Sequence, residues 1–348
     1  MNLKDSLLWP LTVPYGAIAR LRSRAYRASI LKQQRLPGNV ISVGNLTTGG
    51  TGKTPMVIWI AERLAAEGKS VGILTRGYRG ETASKPDSTN TNAQAKPAGP
   101  TSTSDEVQLM QARLGDRVKV GVGADRFARG QDLANRGVNW FVLDDGFQHL
   151  QLARDADIVM IDATNPFGGG HLLPAGRLRE PKTALARADV IVVTRSSHSP
   201  ALESAVHRET NAPIFYAQAE LDSVYSPSSA PLDGHKAREQ DLFAFCGIGN
   251  PAAFVADLRA WGFRIVGHEF FPDHHRYTAA NIREIESEAR AAGASGLICT
   301  EKDRFNFPCS SAAMDLWVCA ISLRVEREQD FWRAMMVAIE SRKSSSAR

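Results

Sequence analysis

Residues 44–55 read Gly44-Asn45-Leu46-Thr47-Thr48-Gly49-Gly50-Thr51-Gly52-Lys53-Thr54-Pro55, a glycine-rich loop between an apolar β-branched run and a segment with helical spacing. This stretch constrains the fold more than any other, because such a loop works only where a strand ends and a helix begins. Its glycines let backbone N–H groups close around a phosphate, and the helix N-terminus adds its dipole. Lys53 then reaches the β- and γ-phosphates of a nucleoside triphosphate and Thr54 holds Mg²⁺, with Thr47, Thr48, Gly49, Gly50, Thr51 and Gly52 forming the cradle.

The strict pattern has glycine six positions before the lysine, where Thr47 stands here. The loop therefore resembles the GGxGKT variants of deviant P-loop ATPases, although Thr48 occupies the place of their signature lysine.

Short apolar runs alternate with helical segments from residue 39 onward. Strands are predicted at 39–44, 71–75, 118–122, 139–144, 157–162 and 189–194, and helices at 54–67, 104–114, 124–136 and 199–209. The runs show little polar alternation, as expected of parallel strands covered on both faces. The fold class read from this is α/β, P-loop NTPase-like, with a mostly parallel sheet, flanking helices and a second, smaller α/β lobe. That lobe carries strands at 242–247, 263–270, 296–300 and 316–323 and helices at 250–261, 279–292 and 327–341.

The length of 348 residues suits two domains at about 150 residues each. The division is an N-terminal segment 1–36, a P-loop domain 37–225 with a polar, mobile insertion at 81–104, a second lobe 226–341 closing a cleft, and a disordered tail 342–348. A composition of 43% hydrophobic and 23% charged residues excludes a disordered or fibrous chain. No apolar run reaches the ~18 residues of a membrane span.

Four further stretches carry chemistry. Trp140-Phe141-Val142-Leu143-Asp144-Asp145 ends an apolar strand in two carboxylates at the sheet's carboxyl edge, where such groups organise Mg²⁺ and phosphate. Neighbours on a strand point to opposite faces, so the two acids are expected to differ in role. Asp105 and Glu106 lead into a helix, a position that ordinary helix-end charge also explains. Residues 162–181 form a Gly/Pro loop in which Arg177 and Arg179 suit an anionic substrate. Phe271-Pro272-Asp273-His274-His275 suggests a histidine orienting a carboxylate base, and Thr300-Glu301-Lys302-Asp303 an internal ion-pair corner.

The net charge of +5 is unevenly spread, since no acid lies between Asp5 and Glu62 while Arg20, Arg22, Arg24, Arg27, Lys32, Arg35 and Lys53 do. Leu7, Leu11, Tyr15, Ile18 and Leu21 recur at helical spacing before this cluster, a pattern that suits a membrane surface with anionic head groups. The same stripe would suit a terminal helix docked on the core. The order, apolar then basic, argues against a signal peptide. Cys246, Cys299, Cys309 and Cys319 lack metal spacing and read as reduced, buried thiols.

Taken in order, GNLTTGGTGKTP, TRGY (75–78), SDE (104–106), ADR (124–126), LDDGFQH (143–149), LLPAGRLREP (172–181), FCGIGNP (245–251), FPDHH (271–275) and TEKD (300–303) span nearly the whole chain. The sequence resembles the tetraacyldisaccharide 4'-kinases, the lipid A 4'-kinases of Gram-negative bacteria. The resemblance implies ATP-dependent phosphorylation of the 4'-hydroxyl of an acylated disaccharide 1-phosphate. It also implies Mg²⁺ and a peripheral position on the cytoplasmic face of the inner membrane, with no nucleic acid and no obligate protein partner. Carried onto matching positions, Asp105 is the catalytic base with His274 its partner, Lys53 and Thr54 keep their loop roles, Asp144 and Asp145 organise metal and phosphate, and Glu180 stands near the metal. The rival reading is a switch ATPase acting on a protein partner.

Overall fold

The computed structural model describes residues 3–77, 104–227, 234–308 and 313–346. The insertion expected at 81–104, Ser104 apart, lies outside the described residues, as do Tyr78 and Cys309. Helix α1 (Leu3–Arg27) precedes an alternating series: β1 (Asn39–Asn45), α2 (Lys53–Ala66), β2 (Val71–Thr75), α3 (Asp105–Leu114), β3 (Val118–Val122), α4 (Arg126–Ala134), β4 (Trp140–Asp144), β5 (Ala156–Asp162), β6 (Val190–Thr194), α5 (Pro200–His207) and β7 (Ile214–Tyr225). There follow α6 (Gly234–Glu239), β8 (Asp241–Cys246), α7 (Pro251–Ala260), β9 (Arg264–Phe270), α8 (Ala279–Ala291), β10 (Gly296–Thr300), α9 (Glu301–Arg304), β11 (Asp315–Val325) and α10 (Glu328–Ser346).

These strands make one eleven-stranded sheet in the order β3-β2-β4-β1-β5-β6-β7-β11-β10-β8-β9. Neighbours are parallel throughout except β7 and β11, which run antiparallel. The fold is thus an α/β arrangement of mostly parallel strands with flanking helices. Both sets of strands share a single sheet, and β7 with β11 forms the seam between them.

Every residue of β1, β2, β4, β5, β6 and β10 is buried, which is why these strands read as unbroken apolar runs. Against one face pack Met56, Ile60 and Leu64 of α2, Met110 of α3 and Phe331, Met335 and Ile339 of α10. Strand β7 has no counterpart in the sequence reading. Only its start, Ile214-Phe215-Tyr216-Ala217, is continuously buried; beyond it Gln218, Glu220 and Asp222 give the strand the look of a loop. Helix α10 also runs through Ser346, where a tail was expected from residue 342. Arg342 explains the extension: it donates to Asp189 at 2.6 Å and to the Arg154 carbonyl at 2.9 Å, pinning the last turns to the sheet.

Candidate active site

The glycine-rich loop leaves β1 and opens α2 as its pattern demands. Gly52 stands at the helix N-cap with φ 83°, a left-handed conformation that glycine adopts without strain. The loop is fastened from three sides. Asn45 donates to Thr51 Oγ1 at 3.0 Å, and Thr194 Oγ1 donates to the Thr51 carbonyl at 3.4 Å. Thr48 N–H donates to the Arg177 carbonyl at 2.8 Å, while the Arg177 guanidinium returns to the Thr48 carbonyl at 2.8 Å. Thr47 pairs with Leu178 as an isolated bridge. Thr47 and Thr48 therefore brace the loop, and the Thr48 amide is already committed. Arg177, expected on an anionic substrate, is used for this bracing.

Asp144 and Asp145 lie beside the loop, on the same wall of the cavity as Lys53. Strand alternation would send them to different faces, but Asp145 has φ 49° and the turn it makes brings both acids to the same cavity. Their environments differ. Burial, with the charges of Glu106 and Asp145, pushes the Asp144 carboxyl up to about 7, against Lys53 and a 3.1 Å hydrogen bond from Thr75. Burial also opposes ionisation of Asp145, but Lys53 at 3.6 Å and Arg179 at 2.6 Å outweigh it and hold its carboxyl below the usual range. Asp145 Oδ1 is buried and lacks a hydrogen-bond partner. Asp144, which accepts from Thr75, and the buried Oδ1 of Asp145 line the same cavity as Thr54, a hard-oxygen set of the kind that suits Mg²⁺. Glu180, expected near the metal, lines the same cavity, and both its oxygens accept from Arg187, at 2.8 and 3.0 Å.

Asp105 sits in the first turn of α3, capped by Ser104, whose Oγ accepts from Val107 N–H at 3.4 Å. Its carboxylate is buried and crowded with donors. His274 Nδ1 lies 3.0 Å from both oxygens, Asn306 Nδ2 donates to Oδ2 at 3.1 Å and Glu106 N–H to Oδ1 at 2.9 Å. Burial raises this group, yet His274 and Lys302 prevail and keep it below the ordinary carboxylate range. His274, at φ 62°, and its neighbour His275 part company. His275 stacks on Phe271 with ring centroids 4.6 Å apart and approaches Asn281 Oδ1 at 3.2 Å, away from Asp105.

A cavity of about 1020 Å³ joins these parts. Lys53, Thr54, Asp144 and Asp145 line one wall, and Glu106, His274 and Lys302 another, with Tyr15, Ile18 and Arg22 of α1 at its margin. The loop after β8 meets the glycine-rich loop directly: a methyl group on Gly249 would overlap the Gly50 amide nitrogen. Sequence reasoning did not single out Gly249, Asn306 or Lys302 as site residues. The paired glycines of FCGIGNP and the charges ending β10 were the available signals.

A family model described as tetraacyldisaccharide-1-P 4'-kinase matches residues 4–340. The tetraacyldisaccharide 4'-kinase of Geobacter metallireducens is 39% identical over 303 residues, covering 86% of this chain and 87% of its own. That of Pelobacter propionicus is 38% identical over 303 residues, covering 86% and 82%. Among solved structures, LpxK from Aquifex aeolicus in complex with ATP superposes with a TM-score of 0.71 at 28% identity, covering 97% of this chain and 100% of that one. With its loop, paired aspartates and Asp105–His274 contact in motif order, the chain belongs to the tetraacyldisaccharide-1-P 4'-kinase family.

Proposed function

We propose that this kinase moves the γ-phosphoryl group of ATP onto the 4'-hydroxyl of an acylated disaccharide 1-phosphate, with Asp105 as the base. The observation that carries the reading is one cavity lined by a phosphate loop on one wall and by His274 on another, with His274 bonded in turn to the buried Asp105. Phosphoryl transfer asks mainly for positioning and charge neutralisation. Lys53 and the amides from Gly49 to Thr54 hold the phosphates, and Asp145 keeps Lys53 in place. Thr54, Asp144 and Asp145 would hold Mg²⁺, which supplies charge neutralisation at the phosphates when bound. Asp105 accepts the hydroxyl proton as the new O–P bond forms and the γ-phosphorus parts from the bridging oxygen, which leaves on ADP. His274 orients the carboxylate.

Helix α1 supports a membrane-surface position. Trp9, Leu11, Val13, Ile18 and Leu21 are between 51% and 65% exposed, beside Arg20, Arg24 and Arg27. Among the described residues no helix is long and apolar enough to cross a membrane. A face this apolar beside the cavity margin suits a lipid acceptor whose chains stay in the bilayer while its sugar enters. The position on the cytoplasmic face of the inner membrane belongs to the same proposal.

The test is transfer of labelled γ-phosphate from Mg-ATP to disaccharide 1-phosphate in detergent micelles. The wild type should give a bis-phosphorylated lipid and Lys53→Ala none. Asp105→Asn should lose about 10²–10⁴-fold in turnover while still binding ATP. Near-normal turnover by Asp105→Asn removes the base assignment. ATP hydrolysis with no lipid product from folded protein returns the reading to a switch ATPase.

A further inference from the structure

Helix α9 is a single turn, and its place is set with unusual care. Asp303 accepts from Tyr277 Oη at 2.8 Å, from Gly247 N–H at 2.7 Å and from Thr300 Oγ1 at 2.5 Å, while Arg113 of α3 donates to Glu301 at 2.9 Å. What this framing presents to the cavity is Lys302. Its Nζ lies 3.0 Å from Asp273 Oδ1, 3.6 Å from Glu106 Oε1, 3.9 Å from Asp105 Oδ2 and 3.5 Å from His274 Nε2.

The last of these distances matters because an ammonium has three donors and no lone pair. The imidazole nitrogen facing it must therefore offer its own lone pair. The other nitrogen, Nδ1, faces two carboxylate oxygens, which only accept. One state of the ring satisfies both sides: neutral, with its proton on Nδ1. Asp273 opposes that state, since its Oδ2 lies 3.8 Å from Nε2 and would welcome a proton there. Among the described residues, the charged groups facing the ring include Asp105 from α3, Asp273 from its own turn and Lys302 from α9, with Glu106 of α3 paired to Lys302 and neutral Asn306 bonded to Asp105.

We propose that Lys302 is a positioning residue that imposes the Nδ1–H tautomer on His274 and keeps the ring uncharged. An imidazolium against Asp105 would weaken its carboxylate as a proton acceptor; a neutral ring orients it and leaves its basicity. The hydrogen bond to Asp105 draws the His274 ring above its ordinary range, and the burial of the ring and the charge of Lys302 are what oppose that pull. The catalytic consequence rests on Asp105 being the base. The tautomer does not.

The full-length protein with ¹⁵N-labelled histidine, its His274 signals assigned through His274→Gln, tests the tautomer directly. Long-range ¹H–¹⁵N spectra of the wild type near pH 7.5 should show a protonated Nδ1 and an unprotonated Nε2. In Lys302→Met, Nε2 should carry a proton and titrate at higher pH. Its kcat should fall by about tenfold or more with the KM for ATP within about twofold. The acid limb of its kcat profile should move to higher pH, and adding Asp273→Asn should bring the limb back. A wild-type ring protonated at Nε2 overturns the proposal, whatever the variants do. So does an unmoved acid limb in folded Lys302→Met, or a loss confined to the KM for ATP, which would put Lys302 on a phosphate. An active Asp105→Asn would instead remove the base and leave the spectrum to decide the tautomer.

Discussion

Asp144 and Asp145 are adjacent in the chain yet titrate in opposite directions, and the difference is one of partners. Asp145 has two cations in reach and Asp144 a threonine hydroxyl. The residues of this site were legible where spacing alone assigns them, as with Lys53, Thr54 and the two aspartates. Asp105 and His274 were named through the resemblance, because 169 positions separate them and no local pattern shows their 3.0 Å contact. A second histidine, His149, gives a pH signature. Burial, then Arg126 and Arg154, depress its ring to about 4 from 6.5. Above about pH 6.5 the folded and unfolded chains both carry it neutral, and its contribution to stability is complete. As pH falls toward 4 the unfolded chain binds the proton first and the fold loses stability. For a half-buried ring, screening leaves about 1–2 kcal/mol of this. Thermal melts of His149→Gln should accordingly lose less stability than wild type between pH 6.5 and 4, and match its slope above pH 7.

Among the elements, buried parallel strands were the easiest to read, since covering both faces removes every polar interruption. β7 escaped because its outer half faces solvent on one side. The contact between the loop after β8 and the glycine-rich loop escaped for a different reason: it joins backbones, and glycines leave no side-chain pattern. That contact makes a sharp expectation. Gly249→Ala puts a methyl against the Gly50 amide, and overpacking of this sort costs about 1–3 kcal/mol. The KM for ATP should rise by about tenfold, more than kcat falls, in steady-state assays. On α1 the expectation is the reverse, a change without strain. Replacing Trp9, Leu11, Ile18 and Leu21 by serine should leave the melting temperature within about 1 °C, since these side chains are exposed. Co-sedimentation with anionic vesicles should fall at least tenfold, as each large apolar side chain contributes about 1.5–3 kcal/mol when buried.

At the scale of the molecule, the notable point is continuity. The linker-like composition near 225–240 suggests two bodies, but β7 and β11 pair over eight residue positions and put all eleven strands in one sheet. Leu323 and Val325 of β11 and Phe215 of β7 lie in the same core as Met56 and Ile60 of α2. Heat should therefore unfold the chain in one transition, with near- and far-ultraviolet circular dichroism coincident and calorimetric and van't Hoff enthalpies equal. Saturating Mg-ATP should move that single transition upward as a whole. Two separated transitions would restore the two-body picture.

The antiparallel seam has a further meaning. Asp105 is carried by strands on one side of it and His274 by strands on the other, so the seam is the ruler against which their separation is measured. Sliding β11 along β7 by one residue would displace one half by about 3.3 Å. That is more than the whole length of the Asp105–His274 hydrogen bond. The irregular step between Ala320 and Ile321 lies within this ruler, so a deletion there would act as a gauge error. It would leave each wall of the cavity intact and bring the two to the wrong distance.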